Sequence, residues 1–360
     1  MRDIKILGGG ISGLTAAINL AKAGFNVDVY EKRSDCGKRF NGDLEGLENW
    51  SSKIDIRDEF KLMSIKTNFD CNPFRTVNIT NGREVLTETL EKPVFFIVKR
   101  GVEAKSLDQG LKKQALDLGI NIHFNTTKGK ENVNIISTGP SGNKPIGYVK
   151  GITFETDLDD IAVLLLNKKA SSGGYSYYLV SNGQGCICSV NVIVSRNKAR
   201  EYFQNTYNFF DKLFDLNVRN KKDFGGVGSF LLNPRYVENG KIYTGEAAGF
   251  QDLLWGFGMR YAMISGYCAA KSIEDNIDYK KQINKRISPR LKTSIFNRYV
   301  TDKGGEYVFE YVFNKAKKNP KEKWIKMLYE RFNPSLYSRI LFPFAKRYLT
   351  KRFSKLEKDT

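Results

Sequence analysis

The residues best suited to chemistry lie at two places far apart in the chain. Gly8-Gly9-Gly10-Ile11-Ser12-Gly13 follows Lys5-Ile6-Leu7 and precedes Leu14-Thr15-Ala16-Ala17-Ile18-Asn19-Leu20. Glycines at this spacing make a phosphate cradle. Gly8 permits a tight turn, Gly10 lets a pyrophosphate approach the backbone, and Gly13 lets a helix pack closely on a strand. The helix start, with Ile11 and Ser12, offers unpaired N–H groups and a positive dipole end to the phosphates. Glu31, 23 residues after Gly8 and followed by Lys32, is placed to accept hydrogen bonds from a ribose. Taken alone, this motif fits NAD and FAD equally. The second place is Gly245-Glu246-Ala247-Ala248-Gly249-Phe250, then Trp255-Gly256-Phe257-Gly258-Met259.

Each motif needs elements to hold it. Lys5–Leu7 and the alternating Phe25–Tyr30 read as strands flanking a helix of small and apolar residues that Gly24 closes. Lys241–Thr244 reads as a strand, and Tyr261–Ala270 as a helix rich in small residues. His123 lies in the alternating run Ile120–Phe124, where a structural role is expected.

Composition narrows the function classes. The chain has 360 residues, enough for one large domain or two interleaved ones, with 41% hydrophobic and 12% aromatic residues. Mean hydropathy is −0.41, and the longest apolar run, Ile161–Leu166, is far short of the roughly 20 residues of a spanning helix. The apolar stretch before Gly8 is too short for a signal peptide. Cys36, Cys71, Cys186, Cys188 and Cys268 are odd in number and irregular in spacing, as free thiols of a reducing compartment would be. A single histidine argues against histidine metal sites and catalytic triads. Net charge is +19, and a surplus of 14 falls between Lys281 and Thr360, from 21 basic and 7 acidic residues. Such a segment is attracted to anionic membranes or nucleic acid.

The second motif resembles that of flavoproteins with two dinucleotide-binding motifs: Gly-Asp-Ala-Ala-Gly, then Gly-x-Gly, then a helix carrying Ser-Gly-x-x-Ala-Ala. This chain has Glu246 in place of the usual Asp. By that resemblance Glu246 would hold a ribityl hydroxyl, and the helix start near Gly258 would face the flavin edge that gains negative charge on reduction.

Together the motifs, over roughly Ile4 to Ala270, resemble the geranylgeranyl reductase family, within a wider group that includes aromatic hydroxylases and lycopene cyclases. Cys36-Gly37 falls where those reductases carry a Cys-Gly near the flavin. The resemblance makes Cys36 a candidate catalytic thiol, with an inert buried cysteine as the alternative. It also places Arg39 near the pyrophosphate and Arg100 at the cofactor, with a surface role as the alternative for each. Asn134 to Pro140 resembles the strand that ends beside the adenine half of FAD, with Thr138-Gly139-Pro140 where hydroxylases usually have Asp-Gly. Tyr175, Tyr177 and Leu179 fall where the reductases carry Tyr-x-Trp-x-Phe-Pro. With Trp255 they are the expected substrate wall, an ordinary amphipathic strand being the alternative.

In the last third, Asn333-Pro334 reads as a helix start. Leu336, Ile340 and Phe344 recur every fourth residue beside Arg339, Lys346 and Arg347. Leu349 and Phe353 continue the pattern, and Pro343 is expected to kink or split the helix. Trp324, Leu328 and Phe332 show the same spacing upstream. This apolar face suits either an anionic membrane surface or the protein's own body.

The expected fold is α/β: a Rossmann-like FAD-binding domain with an inserted β-rich substrate domain and a C-terminal helical segment. The expected boundaries are 1–75, 100–150 and 225–275 for the first, 76–99 and 151–224 for the second, and 276–360 for the third. The expected cofactor is FAD, with NAD(P)H or ferredoxin as donor and no metal. The expected reaction reduces carbon–carbon double bonds of an isoprenoid or other lipid. Alternatives are a flavin monooxygenase on a small or aromatic substrate and a non-catalytic flavin- or lipid-binding protein. The expected partners are a hydrophobic small molecule or lipid and a membrane surface, without nucleic acid. The expected state is a monomer or small homo-oligomer in the cytoplasm, either free or on the cytoplasmic face of a membrane.

Overall fold

A computed structural model describes residues 2–140, 146–192, 194–228, 230–319 and 322–359. Side chains of 322, 324 and 356–359 are outside that description, so the expected role of Trp324 falls outside it.

Three sheets carry the molecule. The first has six strands, in the order β15 (Val237–Glu238), β16 (Lys241–Tyr243), β9 (Ile135–Ile136), β1 (Asp3–Leu7), β2 (Asn26–Tyr30), β8 (Asn121–His123). All its pairs are parallel except β15 with β16. β1 and β2 alternate along their length, and Ile4, Ile6, Val27 and Val29 are the buried members. Helix α1 (Ile11–Lys22) packs on β1, with Leu14, Ile18 and Leu20 fully buried. Each such side chain contributes about 1.5–3 kcal/mol. Lys5–Leu7, Phe25–Tyr30, Ile120–Phe124 and Lys241–Thr244 thus form strands where expected, within a residue or two at their ends.

The second sheet has seven strands: β14 (Arg219–Gly228), β10 (Gly147–Glu155), β13 (Gln184–Val192), β12 (Tyr175–Ser181), β11 (Ile161–Leu165), β5 (Thr76–Thr80), β6 (Val85–Thr89). Its pairing is antiparallel apart from β11 with β5. Alternation on β12 sends Tyr178 and Val180 into the layer closed by α4 (Arg196–Leu213), while Tyr175, Tyr177 and Leu179 face the other side. The third sheet, β3 (Leu44–Glu48), β7 (Phe95–Lys99) and β4 (Cys71–Phe74), is antiparallel. In sequence α2 (Ile56–Leu62) lies between β3 and β4, and α3 (Leu107–Asp117) between β7 and β8.

The small-residue helix is α5 (Met259–Glu274), which packs along α1. After it come α6 (Tyr279–Arg286), α7 (Ser288–Gly304), α8 (Glu306–Lys318), α9 (Glu322–Phe332) and α10 (Leu336–Asp359). Two expectations are corrected here. The α10 cap is Ser335, whose Oγ accepts from Ser338 N. Asn333 instead donates to the carbonyls of Ser51 and Tyr329. Pro343 does not split the helix, which runs through it. Ala345, Leu349 and Phe353, packed with Ile295 of α7, hold the following turns. No described helix is long and apolar enough to cross a membrane.

Candidate functional site

The glycine turn is built by local geometry. Gly8 has φ +107°, and a β carbon there would lie 2.6 Å from the Ser137 carbonyl carbon. A β carbon on Gly13 would overlap the Gly8 carbonyl oxygen. Gly10 is different: nothing lies within 4 Å of where its β carbon would be, so the backbone there is open to a ligand. The first turn of α1 has no side-chain cap, which leaves its N–H groups available to an anion. Glu31 Oε2 accepts from Gly9 N at 2.9 Å and Oε1 from Arg33 N at 2.9 Å. Each oxygen keeps a lone pair for a sugar hydroxyl.

The second motif folds onto the first. Gly245 has φ +58°, and a β carbon on it would sit 2.6 Å from Ser12 Oγ. Gly266, on α5, meets the Ser12 carbonyl just as closely. Gly245 N donates to Ser265 Oγ, and Ser137 Oγ pairs with Thr244 Oγ1 at 2.6 Å. Arg39 Nη1 reaches Glu246 Oε2 at 3.4 Å. The α5 N-terminus at Gly258 also lacks a side-chain cap, and Gly256 just before it has open space over its backbone.

One cavity of about 960 Å³ joins these parts. Gly8, Gly10, Ile11, Ser12, Glu31, Lys32, Gly37, Arg39, Arg100, Gly139, Glu246, Gly256, Gly258 and Met259 line one part of it. The expected substrate wall, Tyr175, Tyr177, Leu179 and Trp255, lines another. Gly13 and Gly245 do not line it; they are the close-packing glycines beneath it. The Tyr175 hydroxyl donates to the Trp255 carbonyl at 2.9 Å, and the rings stand edge to face.

Two expected roles are placed differently. Cys36 is fully buried and does not line the cavity; its Sγ lies beneath Gly9. Burial, with Glu31 and Asp35 nearby, pushes its thiol up to about 12, so it stays protonated and a poor nucleophile. Arg100 lines the cavity but is engaged elsewhere. Its Nε and Nη2 donate to Asp108 at 2.9 and 3.1 Å, its Nη1 donates to Glu45 at 3.1 Å, and it stacks on Phe40. It braces the loop beside the site. His123 pairs with Asp28 and stacks on Tyr30, outside the cavity.

Sequence reasoning named Trp255 but missed Glu48, Trp50 and Gln251, the other polar groups of the chamber. Glu48 ends β3 and is buried. Among the described residues its Oε2 has no hydrogen-bond partner, nor do Trp50 Nε1, Trp255 Nε1 and Gln251 Oε1. All four residues line the cavity. Burial pushes the Glu48 carboxyl up to about 7, against the nearby Arg260 guanidinium, which lowers it. Trp50 packs edge-on against Phe257 at 5.2 Å, and Arg260 Nη1 donates to the Glu48 carbonyl. The group thus stands beside the α5 N-terminus. The one signal in the sequence was an acid sharing a strand face with Leu44. Among the described residues no cluster of three metal-ligating side chains occurs.

The residues fit a dinucleotide: an open glycine backbone, two uncapped helix starts and an acid beside the first. Comparisons agree with this geometry. A family model described as an NAD(P)-binding Rossmann-like domain matches residues 6–43. No curated protein matches the sequence. A geranylgeranyl bacteriochlorophyll reductase-like protein from Thermoplasma acidophilum superposes with a TM-score of 0.67 at 16% identity, over 97% of this chain and 98% of the other. The flavin-dependent brominase Bmp2 gives 0.62 at 15% identity, over 98% and 99%. A flavoprotein/dehydrogenase from Cytophaga hutchinsonii gives 0.62 at 15% identity, over 99% and 97%. The chain therefore shares its fold with these three proteins.

Proposed function

We propose that this protein is an FAD-dependent oxidoreductase that reduces carbon–carbon double bonds of an isoprenoid or other apolar lipid. The observation that supports this most is the continuity of one cavity from the glycine turn to an apolar chamber. Val77, Ile79, Ala162, Leu164, Leu179 and Val190 give that chamber its hydrocarbon wall.

The adenosine and pyrophosphate would lie on Gly8–Gly13, Glu31 and Arg39, and the ribityl chain near Glu246. The flavin ring would lie against Gly256–Met259, where the α5 dipole favours negative charge. Bound FAD, once reduced by NAD(P)H or ferredoxin, supplies hydride equivalents. The protein orients an alkene along the Tyr175–Tyr177–Leu179 face and keeps water out. Saturating a double bond requires a proton besides the hydride. Burial pushes the Glu48 carboxyl up to about 7, so a large share of it stays protonated near neutral pH and can give that proton inside the chamber.

The test is an absorbance spectrum of the purified protein, then anaerobic reduction by dithionite in the presence of geranylgeraniol, with products read by mass spectrometry. A yellow protein whose flavin reoxidises as the prenyl chain gains hydrogen supports the reading. A colourless chain that refuses added FAD overturns it. Rapid reoxidation by O₂ with hydroxylation of the substrate would assign a monooxygenase instead.

A further inference from the structure

Helix α10 carries a second surface, apart from the cavity. Its residues split into two faces by helical spacing of 100° per residue. Ser338, Ala345, Leu349 and Phe353 are buried against the body. Directly opposite, Leu336, Ile340 and Phe344 are 70%, 59% and 67% exposed, and the adjoining Tyr337 is 74% exposed. The sequence pattern had joined Leu349 and Phe353 to this row, but the five-residue step from Phe344 to Leu349 carries the chain to the other face. The outward row continues instead as Arg347, Lys351 and Lys355, all exposed. None of these three has an ion-pair partner among the described residues. One outward stripe is therefore apolar over its first half and basic over its second.

We infer that this stripe docks the protein on the surface of a bilayer containing anionic lipid, with Leu336, Ile340 and Phe344 entering the headgroup–acyl boundary and Arg347, Lys351 and Lys355 meeting lipid phosphates. Large apolar side chains held in water at fourfold spacing are unfavourable unless an apolar phase receives them. The basic half fixes the sign of that phase's surface. Residues 281–360 carry a surplus of 14 positive charges, so a second copy docked face to face would meet strong repulsion. Nucleic acid would engage the cations and leave the apolar row in water. The surface also adjoins the chamber along the chain: Leu328 and Phe332 of α9, just before α10, line the cavity. This inference stands apart from the redox chemistry and can hold if that reading fails.

The test is flotation of the full chain with phosphatidylcholine vesicles, with and without phosphatidylglycerol. The parent floats with the mixed vesicles and not with phosphatidylcholine alone, and salt weakens binding. Ile340→Ser with Phe344→Ser, and separately Arg347→Gln with Lys351→Gln, each reduce binding roughly tenfold or more. These side chains are exposed, so an unchanged melting temperature shows that the fold is intact. Four results overturn the inference. The parent binds neither vesicle; both double variants bind as the parent does; light scattering finds a dimer that the serine pair disperses; or the chain binds duplex DNA in a way that needs the cations but not the apolar row.

Discussion

Gly266 of α5 faces the backbone of Ser12 so closely that a β carbon would lie 3.2 Å from Ala16 N and inside van der Waals range of the Ser12 carbonyl oxygen. Two helices from opposite ends of the nucleotide site thus touch backbone to backbone. Gly266→Ala should destabilise the fold by about 1–3 kcal/mol, as overpacking does. Chemical denaturation would show a lower midpoint with an unchanged slope.

Gly10→Ala should behave in the opposite way. The methyl group meets no protein atom, so the melting temperature should hold while FAD affinity falls at least about tenfold, or ~1.4 kcal/mol. Titration of the apoprotein with FAD, followed by flavin fluorescence, separates this outcome from general damage. An unchanged affinity would place the pyrophosphate elsewhere.

Arg100 predicts a stability effect. Its removal leaves the buried Asp108 carboxylate without its cation, and Glu45 without one of its partners. Arg100→Ala should cost about 3–5 kcal/mol. Arg100→Lys should rescue little, because a single ammonium cannot reproduce the two-pronged contact with Asp108. Thermal melts of both variants decide this.

Glu48 predicts a pH dependence. Its folded value of about 7 stands above its ordinary 4.5. The native state therefore binds more protons than the unfolded state between those values, and stability falls as pH rises through them. The contribution is at most about 3 kcal/mol, and Asp252 and Asp43, each pushed up to about 6 by burial, add in the same direction. Glu48→Gln should flatten the decline between pH 5 and 7.5, leaving the part due to the two aspartates. If Glu48 gives the proton in the reaction, the same variant should also slow prenyl saturation while leaving FAD binding unchanged. Identical stability curves for parent and variant would show that the carboxyl is not held neutral.

The fold was legible where constraints are local. Gly8 and Gly13 occupy positions that exclude a side chain, so the sequence spells them as glycine. Tyr175, Tyr177 and Leu179 were readable as one wall because strand alternation alone puts them on one face. The polar group in the chamber was not readable. Trp255 was read as part of the substrate wall, but Glu48, Trp50 and Gln251 come from two segments some two hundred residues apart, and each looks ordinary in its own segment. Cys36 misled for a related reason: its neighbour Gly37 does reach the cavity, but one residue of rotation puts the thiol under Gly9. Pro343 does not split α10 because a proline's cost to a helix is intrinsic, whereas the packing that outweighs it is tertiary.

The order of strands has a consequence for how the molecule is made. β1 pairs on one side with β2, about twenty residues on, but on the other with β9, which in turn needs β16. During synthesis the first glycine turn leaves the ribosome long before residues 245–259 exist. On the proposed reading FAD then has half a binding site, and the edge of β9 stays bare until the last third of the chain arrives. Slow, non-local closure of this kind exposes a nascent chain to aggregation. Flavin supply during expression should therefore raise the yield of soluble protein by capturing chains that have just closed, with no effect on those still being elongated.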